Sequence, residues 1–158
     1  MQMLIIQKAL ESDAESLRLV AISAFMNDER FKPSNAISGG PPGHDTVENH
    51  VYWIESHDYF KCMVGGKIVG GCIVKKHRFH FELFGIFLND DYIGRGIGSK
   101  LLQGVMKQYP AEALWILETP DYATRNQRFY ERNGFVLTEK SVVDPKLGFG
   151  FIVYHRRA

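Results

Sequence analysis

Residues 92–99 read Tyr92-Ile93-Gly94-Arg95-Gly96-Ile97-Gly98-Ser99, and they fall between a strand pattern and a helix pattern. Three glycines at alternate positions let the backbone approach a ligand closely, because no Cβ stands in the way. Several amides then point into one hollow, and the following helix adds the partial positive charge of its N-terminus. Arg95 contributes a guanidinium fork. Such a combination suits an anion, phosphate above all. The same glycines would also serve a plain tight turn that needs positive φ, and the segment alone leaves both readings open. No Gly-Lys-Ser/Thr closes the loop, so it is not the nucleotide-triphosphate type. Nor is it the dinucleotide fingerprint, because the spacing is Gly-x-Gly-x-Gly and the strand before it follows a hairpin.

Upstream, Tyr59–Val64 and Ile68–Val74 flank Gly65-Gly66 as an antiparallel hairpin. A two-residue turn there pairs Cys62 with Val69 and Cys72 with Tyr59, so the two cysteines are not neighbours and no disulfide is expected. They read as small core residues, and without a Cys/His cluster no metal site is expected. After Lys75-Lys76-His77-Arg78 a long strand runs from Phe79 to Leu88. Its apolar residues change phase, from Phe79, Phe81 and Leu83 to Ile86 and Leu88. One extra residue near Phe84-Gly85 produces that shift, which predicts a bulge.

The N-terminal part opens on a strand, Met3 to Gln7. Capping boxes at Ser12–Glu15 and Asp45–Glu48 predict two helices, the first burying Leu17, Ala21 and Ala24, the second Val47, Val51 and Ile54. Between them Phe31 to His44, with its glycines and prolines, is a loop. Downstream come a helix from Gly96 to Tyr109, a strand at Ala113–Leu117, and a helix from Thr124 to Asn133 closed by Gly134. Strands at Phe135–Val143 and Phe149–Tyr154 end the chain. This order predicts an α/β fold, a three-layer α-β-α sandwich around a mixed, mostly antiparallel sheet, in one domain over residues 1–158.

Composition agrees. In 158 residues, 45% hydrophobic and 23% charged are ordinary globular values. The net charge of +1 supplies no field for nucleic acid or anionic membrane, and Lys75–Arg78 is too short a basic run to supply one locally. No stretch approaches the ~20 apolar residues of a membrane span, and no secretory leader is apparent, so a cytoplasmic protein is expected.

A second segment, Phe129-Tyr130-Glu131-Arg132-Asn133-Gly134-Phe135, puts an aromatic pair on a short helix that ends in glycine. By itself that pair reads as core. Taken with Ile93–Gly98 in this order, and with the element order above, the chain resembles the GNAT superfamily of acyl-CoA-dependent N-acetyltransferases. The resemblance implies acetyl-CoA as acyl donor, a GNAT-like fold over nearly the whole chain and no metal. It implies that Ile86, Phe87 and Leu88 bond the pantetheine arm through their backbones, and that Gly94, Arg95, Gly96, Ile97, Gly98 and Ser99 hold the pyrophosphate. It puts Tyr130 near the thioester sulfur. Two positions depart from the family pattern. Ile93 stands where the loop usually opens with Gln or Arg, and Ala123 stands where an Asn often contacts pantetheine, with Asn126 one helical turn on as its substitute.

The implied reaction is direct attack of a primary amine on the thioester, which needs a base for the amine and an acid for the thiolate. Tyr130 is the candidate acid. Glu82, eleven residues before Ile93, matches the glutamate of histone-acetylating members; Glu118, twelve before Tyr130, matches that of ribosomal-protein alanine acetyltransferases. Both remain candidate bases, with His77 and His80 as further ones. The acceptor, the acyl length and the oligomeric state stay open, a homodimer included. In this family the loop between the first two helices often walls the acceptor site, which makes Phe31, Ile37 and His44 candidate contacts. A non-catalytic acyl-CoA sensor on the same scaffold would need the glycine cradle but neither Glu82, Glu118 nor Tyr130.

Overall fold

In the computed structural model, which describes residues 3–29, 32–34, 36 and 42–157, seven strands form one sheet. In chain order these are β1 (Leu4–Lys8), β2 (Asp58–Val64), β3 (Lys67–Lys76), β4 (Phe81–Leu88), β5 (Leu114–Pro120), β6 (Val136–Lys140) and β7 (Phe151–Arg157). They lie side by side as β1-β2-β3-β4-β5-β7-β6, every pair antiparallel except β4 with β5. Helices α1 (Ala14–Glu29) and α2 (Val47–Ser56) cover one face, while α3 (Ile97–Met106) and α4 (Thr124–Arg132) cover the other. The predicted sandwich and mixed sheet are what the chain forms.

Two apolar layers hold it together. Leu17, Val20, Ala21 and Ala24 repeat at helical spacing on α1 and meet Tyr59, Ile73 and Phe87 of the sheet. On the other face Leu101, Leu102 and Val105 of α3 meet Val69, Leu83, Trp115 and Leu117. The bulge lies where the phase change put it. Ile73 pairs with Gly85 and Val74 with Leu83, so Phe84 is the extra residue. Phe81, Leu83, Ile86 and Leu88 consequently share the α3 face, while Phe84 and Phe87 turn to the α1 face.

Several local expectations are corrected. Val64 pairs Lys67 across Gly65-Gly66, but a second irregularity shifts the ladder, so Cys62 faces Gly70 and Cys72 faces Phe60. Both thiols are buried and free. The first capping box lies two residues earlier: Asp13 accepts from the Leu10 amide at 2.8 Å, after a 3-10 turn at Glu11–Asp13, and Glu15 instead pairs with Arg18. At α2 the cap is Thr46, whose hydroxyl donates to the Gly43 carbonyl, and Asn49 rather than Glu48 reaches back to it. The buried face of α2 is His50 and Trp53, one position off the predicted Val47-Val51-Ile54 row, because these larger rings fill the space above Tyr59 and Phe84. Phe79 is 80% exposed in the turn before β4 rather than in the strand. Among the described residues no helix is long and apolar enough to cross a membrane.

Lys61 is buried on β2 and donates to Asp13 at 2.8 Å, tying the 3-10 turn to the sheet. Burial alone would raise the Asp13 pKa, but the Lys61 ammonium and the Leu10 amide outweigh it and hold the carboxyl below its usual value. A carboxylate depressed in the fold contributes stability above its unfolded pKa of about 3.9 and loses it as pH falls through the folded value. Asp13→Asn is therefore expected to cost about 1–3 kcal/mol at pH 7. The difference from wild type should shrink steadily below about pH 4 as the native carboxyl also protonates. Denaturant unfolding of both proteins at the two pH values measures this, and a gap that persists at low pH would show a packing defect instead.

Candidate active site

The site begins with a failure of pairing. β4 and β5 share only the ladder pairs Phe81–Trp115 and Glu82–Ile116, after which they part. From there β4 continues beside β3 to Leu88, while β5 continues beside β7 to Pro120. The two strands thus enclose a wedge in the middle of the sheet, with backbone groups facing a gap where a ladder would normally run. Such edges accept an extended ligand as a further strand would be accepted.

At the open end of the wedge lies a cleft of about 150 Å³. Ile86, Phe87 and Leu88 form its β4 wall, Gly94, Gly96, Gly98 and Ser99 its floor, and Asn126 and Tyr130 its α4 wall. These nine sequence-predicted residues come together in one place. Arg95 does not join them: it is exposed, with its guanidinium over the Tyr92 ring at 5.3 Å. Ile97 also lies off the lining, its side chain packed against the core below α3. Both predicted contacts are thereby limited to the backbone amides of the loop.

Two helix N-termini meet at this cleft. Gly96 begins α3 with φ of +75° and Ala123 begins α4, and neither end is capped by a side chain. The first-turn amides of both helices therefore keep donors available. Gly94 and Gly96 have positive φ, and a Cβ built at either meets nothing within 4 Å. Open space above a glycine loop, at uncapped helix ends, is what a diphosphate requires. Ser99 is held in place by Asn133, which donates to its hydroxyl at 3.1 Å and to the Phe129 carbonyl at 2.9 Å.

Tyr130 is buried to 8% exposure, its ring packed among Phe129, Phe135 and Tyr154. Neither glutamate lines the cleft. Glu82 sits at the last closed pair of the wedge and accepts from His77 Nε2 at 2.8 Å, whose ring stacks on His80. Glu118 lies two residues past Ile116, where β5 has left β4, and is exposed without a partner among the described residues. Trp115 and Leu117 point into the α3 layer, so strand alternation sends Glu118 to the opposite face from Tyr130. The cysteines are poor nucleophiles here: burial pushes the Cys62 thiol up to about 11 and Cys72 higher still.

The remaining wall comes from α1. Ala24 and Phe25 line the cleft, and Phe25 touches Phe87 at 5.9 Å and the His44 ring at 5.0 Å. His44 is anchored in turn by its carbonyl, which accepts from His50 Nε2 at 2.6 Å, while Tyr59 donates to Nδ1 at 2.8 Å. His50 is fully buried, and burial lowers its pKa, so the neutral ring spans both bonds. Phe31 and Ile37, the other predicted loop contacts, lie outside the described residues. Sequence reasoning missed Ala24, Phe25, Ile93, Leu101, Arg125 and Phe129 as lining residues. Most are apolar and carry no pattern of their own, since only the folded chain brings α1 and α4 to the same cleft. Among the described residues no three His, Cys, Asp or Glu side chains gather at metal-binding distance.

Comparison with known proteins gives this geometry a family. The sequence model of the Acetyltransferase (GNAT) family matches residues 23–135. By sequence the chain has no match among curated proteins. Among solved structures it is similar to the PaiA N-acetyltransferase of Thermoplasma acidophilum in complex with coenzyme A, at 17% identity and a TM-score of 0.79, covering 99% of each chain. It is also similar to the ribosomal-protein-S18-alanine N-acetyltransferase of Escherichia coli, at 17% identity and a TM-score of 0.76, covering 98% of this chain and 94% of that one. A GCN5-related N-acetyltransferase of Rhodopseudomonas palustris matches at 15% identity with a TM-score of 0.79, covering 98% and 95%. At such identities the structures attest the fold, and the family model spans most of the sequence, cleft included. The chain belongs to the GNAT family of acetyltransferases.

Proposed function

We propose that this acetyltransferase moves an acetyl group from acetyl-CoA to a primary amine of a small molecule or peptide by direct attack. The observation that carries the reading is the wedge between β4 and β5, with two uncapped helix N-termini converging at its mouth. A pantetheine arm entering the wedge would bond the backbone of Ile86, Phe87 and Leu88. The diphosphate would rest on the amides from Gly94 to Ser99, with Asn126 on the far wall. The relative solved with coenzyme A shares this fold. The donor supplies the activated acyl carbon, and the chain's own groups handle the protons.

An alkylamine with pKa near 10 arrives protonated at pH 7, so a base must take one proton before attack. Glu118 is favoured over Glu82. It stands on the opened part of the wedge with no partner among the described residues, whereas Glu82 is engaged by His77 at the closed root. Tyr130 stands on the other face, beside the cleft. Acid and base on opposite sides suit an addition–elimination in which the amine, losing its proton towards Glu118, adds to the thioester carbonyl and the C–S bond then breaks with the thiolate leaving towards Tyr130. Transfer from a phenol of pKa ~10 to a thiolate of pKa ~8.5 is uphill by about 2 kcal/mol, so Tyr130 acts by a strong hydrogen bond as much as by full protonation.

Acetyl-CoA is expected to raise the thermal midpoint of the wild type. In Gly96→Val that shift should be lost, since a β-branched side chain fills the cradle. Because φ is +75° there, the variant's own unliganded midpoint is the reference, and an undiminished shift would remove the site. Turnover is read by free-thiol release against a panel of amines, and binding without turnover on every amine would leave a sensor.

With a productive amine, Tyr130→Phe should keep acetyl-CoA affinity and lose ~10²-fold or more in kcat. Glu118→Gln should depress the acidic limb of the rate–pH profile by a similar factor, with Glu82→Gln much milder. The reverse ranking of the two glutamates would transfer the role to Glu82, and an unchanged kcat in Tyr130→Phe would leave that ring as packing only.

A further inference from the structure

Helices α1 and α2 pack on β2, β3 and β4. Farther along the same face of the sheet, Glu118 on β5 and Val136 and Glu139 on β6 are exposed. Strand register arranges these residues in rows. Glu118 and Glu139 both pair with Val153 of β7, so the three side chains stand abreast, on the face opposite Ile152 and Tyr154. The row below is Ile116, His155 and Val136, and the row above begins with Pro120 and Phe151. Val153 is smaller than either neighbour on its face, His155 or Phe151, whose ring meets Phe149 at 5.4 Å. The row is therefore a low apolar notch with a carboxylate at each end. A bulge puts the second carboxylate there. Leu137 pairs with Tyr154 and Glu139 with Val153, so Thr138 is the extra residue of β6, its hydroxyl donating to the Val153 carbonyl at 3.2 Å. An unbroken ladder would set Thr138 opposite Val153 and turn Glu139 to the other face. Bulges that re-aim a side chain in this way recur beside active sites. Neither carboxylate has a partner among the described residues. Two strand spacings, about 9–10 Å, separate them.

We propose that the acceptor is an α,ω-diamine laid across β7, and that Glu139 is the residue that selects it. The proposal rests on the reading that Glu118 takes the proton of the reacting amine. The far ammonium then pairs with Glu139, and the methylenes between the two nitrogens cover Val153. An extended chain advances about 1.25 Å per bond, so about six to eight bonds between the nitrogens bridge the two carboxylates. Transfer turns the reacting nitrogen into an amide and leaves the far ammonium charged. A monoamine of the same length reaches Glu118 equally well but leaves Glu139 without a partner.

The test is steady-state turnover of wild type, Glu139→Gln and Glu139→Lys with acetyl-CoA and a set of acceptors. These are hexamethylenediamine, hexylamine, ε-aminohexanoate and trimethylenediamine. Wild type should prefer hexamethylenediamine to hexylamine by about 3–5-fold in kcat/KM per amino group, carried by KM, as one exposed ion pair allows. Glu139→Gln should abolish that preference, and Glu139→Lys should transfer it to ε-aminohexanoate. The wild-type preference should weaken as salt is added, and trimethylenediamine, too short to span the row, should show none. A preference that persists in Glu139→Gln, or an equal change for diamine and monoamine, would overturn the assignment. Sedimentation of wild type beside Val136→Lys examines the other occupant. A dimer that this substitution splits would put a second copy of the chain on the face and overturn the substrate assignment. Absence of turnover with every amine, in a protein that binds acetyl-CoA, would overturn the proposed function and this inference with it. Turnover of amines without a diamine preference would overturn this inference alone.

Discussion

Everything distinctive in this molecule depends on the parting of β4 from β5 after two ladder pairs. A parallel pair in the centre of a sheet normally runs its full length, since each unpaired amide or carbonyl there costs free energy. Here the bulge at Phe84 turns β4 away, and both strands find their partners on their outer sides, in β3 and β7. The gap that results leaves the facing edges of β4 and β5 without ladder partners in each other beyond Glu82–Ile116. A bulge of one residue thereby accompanies the opening of the sheet at its centre.

The surroundings turn that gap into an oriented site. The helices α3 and α4 both begin at its mouth, and neither spends a side chain on capping its first turn. Positive charge therefore concentrates at one end of the wedge, while the other end is closed by the Phe81–Trp115 pair and the aromatic cluster with Tyr109. The two ends of the wedge thus differ in charge and in polarity. On the α1 side, the fully buried His50 bonds Tyr59 and the His44 carbonyl together, so the descending end of the loop and the Phe25 ring are fixed relative to the sheet. The wall of the cleft is thus set by a neutral imidazole well below the surface, remote in sequence from every glycine of the loop.

Hydrogen bonding within the polar network follows the same economy. Asn133 closes the end of α4 at the Phe129 carbonyl and positions Ser99 at the start of α3, linking the two helices at the cleft. Tyr154 donates to Glu131 at 2.7 Å and packs on Tyr130, so β7 supports the α4 ring from beneath. Lys8, Lys76 and Tyr109 converge on Asp58 at the far edge, where they serve the fold and not the site.

The sequence by itself determined the element order, the bulge and the glycine cradle, because each rests on short-range rules. The phase change from Leu83 to Ile86 is visible in one strand, and the need for positive φ at Gly94, Gly96 and Gly134 is local to each residue. Capping and register were less legible. The box at Asp13 and the slip beside Cys62 depend on which partners the folded chain offers, and a displacement of one or two residues costs little in local terms. Only the tertiary structure decided which charges reach the cleft. Arg95 sits in the loop yet turns onto Tyr92, while Arg125, thirty residues later, lines the cleft because α4 begins there. It likewise separated Glu82 from Glu118. Both are strand glutamates at equally suggestive spacings, and what distinguishes them is the point at which β5 leaves β4, a property of the sheet and of neither residue.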